Sequence, residues 1–177
     1  SWTGISATIS RRILTFTKDK IGKNDDESYY SWLMSEISHK LYVDDFDLSH
    51  IDIASFKTLT EKMLRVGAFF EVIYEVLMLG WFFIERGDFE KARDMAGLLG
   101  RVGAEYDNDH AKVEQLFLEV RLSIEQGRLK EAIDAAHKGI LLAERLELRP
   151  KHFGFLNVKA RAHVLLGDQE GSETCFK

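Results

Sequence analysis

Apolar and small residues recur along the second half of the chain at helical offsets. One set is Ile73, Val76, Gly80 and Ile84, a second is Val113, Leu116, Val120 and Ile124, and a third is Phe153, Leu156, Ala160 and Val164. Steps of three, four and four residues place each set on one stripe of an α-helix. The sets stand 40 residues apart (113 − 73 and 153 − 113), and each stops three residues before a glycine: Gly87, Gly127 and Gly167. The pattern predicts a helix ending at each glycine and a core built from the same stripe in every repeat.

The glycines open a second recurring pattern. Gly87-Asp88-Phe89-Glu90-Lys91-Ala92 aligns with Gly127-Arg128-Leu129-Lys130-Glu131-Ala132 and with Gly167-Asp168-Gln169-Glu170-Gly171-Ser172. Glycine takes the left-handed conformation that ends a helix without steric cost. Asp88 and Asp168 then suit the cap of the next helix. The small residue five positions on (Ala92, Ala132, Ser172) lets that helix lie close against the one before. Helices are expected at 68–86, 88–103, 109–126, 128–147, 151–166 and 168–176.

These residues resemble the tetratricopeptide repeat. Leu79-Gly80-Trp81-Phe82-Phe83, the turn Gly87-Asp88 and the later Ala92 follow that family's marks, with Ala96 and Ala136 at a further small position. Leu146-Glu147-Leu148-Arg149-Pro150 is similar to its usual repeat ending. The period departs from the family's 34 residues, Glu119 and Lys159 stand in place of a leucine, and Ser123 and His163 stand where Phe83 supplies an aromatic. The resemblance covers residues 68–177. It implies an all-α chain, an α-solenoid of antiparallel helical hairpins wound as a right-handed superhelix, whose first helices line a concave face. On this chain that face would carry Tyr74, Leu77, Trp81, Glu114, Phe117, Arg121, Asn157 and Arg161. Aromatic, apolar and cationic groups together suit a bound peptide, because Arg grips carboxylates in a two-point fork and aromatics give rigid contact area. The Lys/Asn clamp of chaperone-binding members is not reproduced.

The first part of the chain carries a weaker signal. Asp44-Asp45-Phe46-Asp47 echoes the turn at Gly87, and Ser28–Val43 is apolar at Trp32, Leu33, Ile37 and Leu41. Residues 28–66 read as a degenerate hairpin with helices at 28–43 and 50–65, the second opened by Ser49-x-x-Asp52 as a variant capping box. Ile5, Ile9, Ile13 and Phe16 predict one more helix at 5–20, and Gly22–Glu27 reads as a linker. The expected organisation is therefore residues 1–66 ahead of repeats at 67–177, one continuous domain cut from a longer protein with its last repeat truncated.

Composition agrees with this picture. A single proline, Pro150, leaves long helices uninterrupted. The net charge of −5 argues against a general nucleic-acid binder, which needs a basic surface. One cysteine, Cys175, excludes an internal disulfide or a multi-cysteine metal site and fits a reducing cytoplasmic compartment. The apolar run 64–84 contains Arg65, Glu71 and Glu75. Each would cost about 2.5–3.5 kcal/mol at mid-bilayer, so a buried helix is expected and no membrane association. None of the six histidines forms a metal-binding spacing, and neither Asp44-Asp45-x-Asp47 nor Asp107-Asn108-Asp109-His110 has the glycine and terminal Glu of a calcium loop. Gly97, Gly100 and Gly103 lack the strand and Lys-Ser/Thr of a phosphate loop, and Cys175 has no activating neighbour in sequence. No catalytic, cofactor or metal residue is assigned. The expected role is a non-enzymatic scaffold or sensor module of a regulatory or signalling protein. It would hold a protein or peptide, including another domain of the same polypeptide. Self-association through the truncated C-terminal edge is the alternative, with a small-molecule sensor or an all-helical enzyme behind it.

Overall fold

Helix ends set the architecture. A left-handed backbone residue stands at every twentieth position: Gly67 (φ +85°), Gly87 (+74°), Asp107 (+46°), Gly127 (+71°), Glu147 (+57°) and Gly167 (+76°). Beside each, the following amide donates back across the helix end, as from Asp88 to the Phe83 carbonyl (2.8 Å), Arg128 to Ser123 (2.8 Å) and Leu148 to Ala143 (2.8 Å). This is the Schellman closure, which satisfies the orphan carbonyls of a helix C-terminus. The next helix then starts two residues after each left-handed residue. The 40-residue sequence period is thus two 20-residue structural steps.

The computed structural model describes residues 53–176, and every regular element among them is a helix. We label them α1 (Ile53–Arg65), α2 (Phe69–Glu85), α3 (Phe89–Glu105), α4 (Asp109–Glu125), α5 (Leu129–Arg145), α6 (Arg149–Leu165) and α7 (Gln169–Thr174). The expected helices at 5–20 and 28–43, the linker Gly22–Glu27 and the Ser49–Asp52 cap lie outside the described residues. From residue 53 on, the expected helices are present, and their ends within the described residues are shifted by two residues or fewer. The chain divides into two compact units, Ser1–Glu75 and Val76–Lys177.

In the first unit, α1 buries Phe56, Met63 and Leu64 on one side. Thr60, also buried, satisfies its hydroxyl by donating to the Lys57 carbonyl at 2.8 Å. Lys62 and Arg65 occupy the last turn, where cations favour the helix dipole. Ala68 just before α2 and Val72 and Ile73 in its opening are buried, whereas Phe70 and Tyr74 are exposed and stack on each other at 6.5 Å.

In the second unit each helix from α3 to α7 packs on its sequence neighbour, and α4 also touches α6. Asp88, Asn108 and Asp168 cap α3, α4 and α7 by accepting the amides of Lys91, Ala111 and Gly171. Arg128 and Leu148 precede α5 and α6 without a side-chain cap. The core between α4, α5 and α6 gathers Val113, Val120, Ile124, Ala132, Ala136, Ala143, Phe155 and Ala162. Ala92 and Ala132, the small residues after the turn glycines, are fully buried. Their size lets consecutive helices close up. Gly139 goes further: a Cβ there would fall well inside contact with the fully buried Phe155 ring, so glycine makes the slot that Phe155 fills.

The recurring apolar stripe does not stay buried throughout. Val113, Val120 and Ile124 are covered, but their counterparts at the two ends of the third set, Phe153 and Val164, are 64% and 61% exposed. Ala132 and Ala143 of α5 belong to the cluster that covers Val113 and Ile124. The six-residue α7 buries none of its residues. The expectation of a uniform core stripe holds for two repeats and fails at the two ends of the third. No helix among the described residues is long and apolar enough to cross a membrane.

Candidate functional site

The first helices of the expected hairpins are α2, α4 and α6, and a line of aromatic rings crosses all three within the second unit. Trp81 lies 6.1 Å from Phe117, tilted by 31°, and Phe117 meets Phe155 edge-on at 5.2 Å. Trp81 and Phe117 are partly exposed, while Phe155 is buried in the slot beside Gly139. Gly154 passes under Phe117 and leaves room for its ring. Two cations lie on the line: the Arg121 guanidinium is 5.3 Å from the Trp81 ring centre and the Lys151 ammonium 5.0 Å from that of Phe117. Cation–π attraction of this kind strengthens as the pair is desolvated.

Both cations on the line, and Arg161 one repeat beyond Arg121, are matched by a carboxylate from the preceding first helix. Arg121 donates to Glu85 at 2.9 Å, Arg161 to Glu125 at 3.1 Å and Lys151 to Glu114 at 2.6 Å. The first two are one interaction repeated, since 85 + 40 = 125 and 121 + 40 = 161. The partners are 36 residues apart, not 40, so neighbouring first helices are offset by one helical turn. Glu114 is 3% exposed, and His110 lies 3.8 Å from its other oxygen. Burial of that carboxylate is tolerable because Lys151 neutralises it.

Hydrogen bonding is incomplete at two donors on this face. The indole Nε1 of Trp81 and the Nε of Arg121 are both buried and find no acceptor among the described residues. An unmet buried donor costs about 1–3 kcal/mol.

Of the residues expected on this face, Trp81, Glu114, Phe117 and Arg121 come together. Arg161 is exposed and paired with Glu125, and Asn157 is exposed. Leu77 is buried, and Tyr74 lies in the first unit, exposed beside Phe70. Glu85, Glu125, Lys151 and Phe155 were not anticipated. A one-turn offset subtracted from the 40-residue period would have pointed to the two glutamates.

On the other side of α4, a recess of about 340 Å³ opens among α3, α4 and α5, lined by Ala96, Gly97, Leu122 and Ala135 with Arg93 and Ser123. The Arg128–Glu131 pair at its edge is already self-matched. Among the described residues no group of three or more His, Cys, Asp or Glu side chains is placed to hold a metal ion. Compared with known proteins, the chain matches no family model, no curated protein and no solved structure.

Proposed function

We propose that this chain is a non-enzymatic helical-repeat scaffold that holds a protein or peptide on the face formed by α2, α4 and α6. The observation that carries the reading is the Trp81–Phe117 pair, partly exposed and flanked by Arg121 and Lys151. Large aromatics and arginine dominate the energetics of interfaces, because aromatics bury much rigid area and the planar guanidinium makes two-point hydrogen bonds. The resemblance to tetratricopeptide repeats supports the same face. A displayed random peptide library tests it. Enriched peptides are expected to lose at least about tenfold in affinity, or 1.4 kcal/mol, against Trp81→Ala. Leu141→Ala, on exposed α5 surface, is expected to leave them unchanged. A library without enrichment, or equal binding to Trp81→Ala, would remove the reading.

A second reading is self-association. Phe153, Val164 and Leu165 of α6 and Phe176 beyond α7 are each more than half exposed, and exposed apolar clusters mark contact surfaces. Light scattering at rising concentration is expected to show association that Val164→Glu weakens. A strict monomer up to millimolar protein would count decisively against it.

A further inference from the structure

What the α2/α4/α6 face lacks is an acceptor, not a charge. Arg121, Arg161 and Lys151 are each already paired with Glu85, Glu125 and Glu114. An incoming carboxylate would stand beside Glu85 and be repelled, or would have to displace it. The groups left unmet are two N–H donors, Trp81 Nε1 and Arg121 Nε. A ligand suited to them is rich in neutral acceptors and poor in donors, so that it satisfies both without bringing N–H groups that need partners of their own. Among peptide segments, proline-rich ones have that chemistry, since proline contributes a carbonyl and no N–H. They are also preformed as polyproline II helices with solvated carbonyls, so little entropy is lost on binding.

The rings complete the fit. Trp81 and Phe117 present partly exposed faces with centres 6.1 Å apart, an apolar shelf on which pyrrolidine rings stack. We propose that this face takes a proline-rich peptide segment in the polyproline II form, with a main-chain carbonyl accepting from the Trp81 indole and proline rings lying on Trp81 and Phe117. The inference rests on reading this face as a peptide-binding surface. The indole N–H is buried, and the neighbour lying over its ring, the Arg121 guanidinium at 5.3 Å, is free to shift as a ligand enters. Its one hydrogen bond runs to Glu85, whose side chain is 67% exposed, and exposed pairs of this kind hold weakly.

The test is a ¹⁵N–¹H titration of the full chain, with the Trp81 indole signal assigned by its loss in Trp81→Phe. The probes are capped hexaproline amide, capped hexaglutamate amide and a capped Gly/Ser hexamer. Hexaproline is expected to move the Trp81 indole signal saturably downfield, and neither of the others to do so. Trp81→Phe, which keeps a ring and removes the donor, is expected to weaken hexaproline binding about tenfold, one hydrogen bond's loss. Phe117→Leu leaves both donors and is expected to weaken it by a smaller factor. If hexaglutamate moves the signal and hexaproline does not, the neutral-acceptor inference falls while the peptide-binding reading stands. An equal response to Gly/Ser overturns the proline preference. If no probe moves the signal and no library peptide binds, both fall together.

Discussion

At the residue scale, the helix junctions separate positions that need glycine from positions that merely tolerate something else. Gly127 sits at φ +71° with open space around a built Cβ, so Gly127→Ala tests backbone strain alone. An L-residue in the left-handed region costs about 1–2 kcal/mol, and a drop in thermal midpoint of several degrees is expected. Glu147 already bears that cost at φ +57° and is exposed. Glu147→Gly should raise stability by about 0.5–1 kcal/mol, the strain relieved less the entropy that glycine loses on folding. Asp107 differs because its carboxylate also holds Lys112 at 2.9 Å. Its glycine variant should gain less. Thermal melts of the three variants check the order, and a Glu147→Gly protein less stable than the parent would contradict it.

At the element scale, two helical glycines should respond oppositely to alanine. Gly97 in α3 has nothing within contact range of a Cβ, so Gly97→Ala should stabilise by about 0.5–1 kcal/mol through helix propensity. Gly139 in α5 is pressed against Phe155, and Gly139→Ala should cost about 1–3 kcal/mol, as overpacking of a filled core does. Denaturant melts that moved both in the same direction would overturn this account of how α5 and α6 close. The short α7 makes an acid-side prediction. The Gly171 amide donating to Asp168, and then His163 at 2.8 Å, hold the Asp168 carboxyl below its ordinary 3.8. A depressed carboxyl stabilises the fold above its unfolded value and loses that contribution as pH falls through the lower folded value. Amide protection in α7, measured against the intrinsic exchange rate at each pH, should therefore fall below about pH 3.8. Asp168→Asn, which keeps an acceptor and does not titrate, should flatten the response.

Much of this scale was legible in the sequence, because turn glycines and apolar stripes report directly on helix ends and buried faces. Gly87, Gly127 and Gly167 marked one junction in two. Gly67 stands at a fourth, and Asp107 and Glu147 mark the other two silently, since nothing in their chemistry announces a left-handed backbone. The binding face was half legible. Trp81, Phe117 and Arg121 follow from repeat register, but the pairing of Arg121 with Glu85 depends on a one-turn offset between helices that a self-alignment of the sequence sets to zero. Leu77 and Glu114 looked like surface from their place in the repeat, yet packing and Lys151 draw them inside.

At the scale of the whole molecule, cover is uneven within the second unit. α4 is flanked by α3 and α5 and also meets α6, whereas α7 buries none of its six residues. Local opening follows such contact differences. Native-state hydrogen exchange should show α4 protected to near the global unfolding free energy and α7 exchanging by a far shallower opening. Equal protection in the two would mean that something else shelters the α6–α7 end.

The alternation of left-handed residues has a last consequence, which concerns how the chain can be lengthened. Junctions recur every twenty residues, but the faces they join recur every forty, so the molecule has a phase as well as a period. Duplicating residues 88–127 in tandem preserves that phase: each new helix meets the same kind of neighbour, and Glu125 gains a further Arg121 in step. Duplicating 108–127 alone preserves every turn and inverts the phase, setting large side chains where Ala132 and Ala136 now allow close approach. Circular dichroism and melting of the two insertions should show the forty-residue protein folding cooperatively and the twenty-residue one losing stability. The unit of growth for this chain is a pair of helices, although its unit of geometry is one.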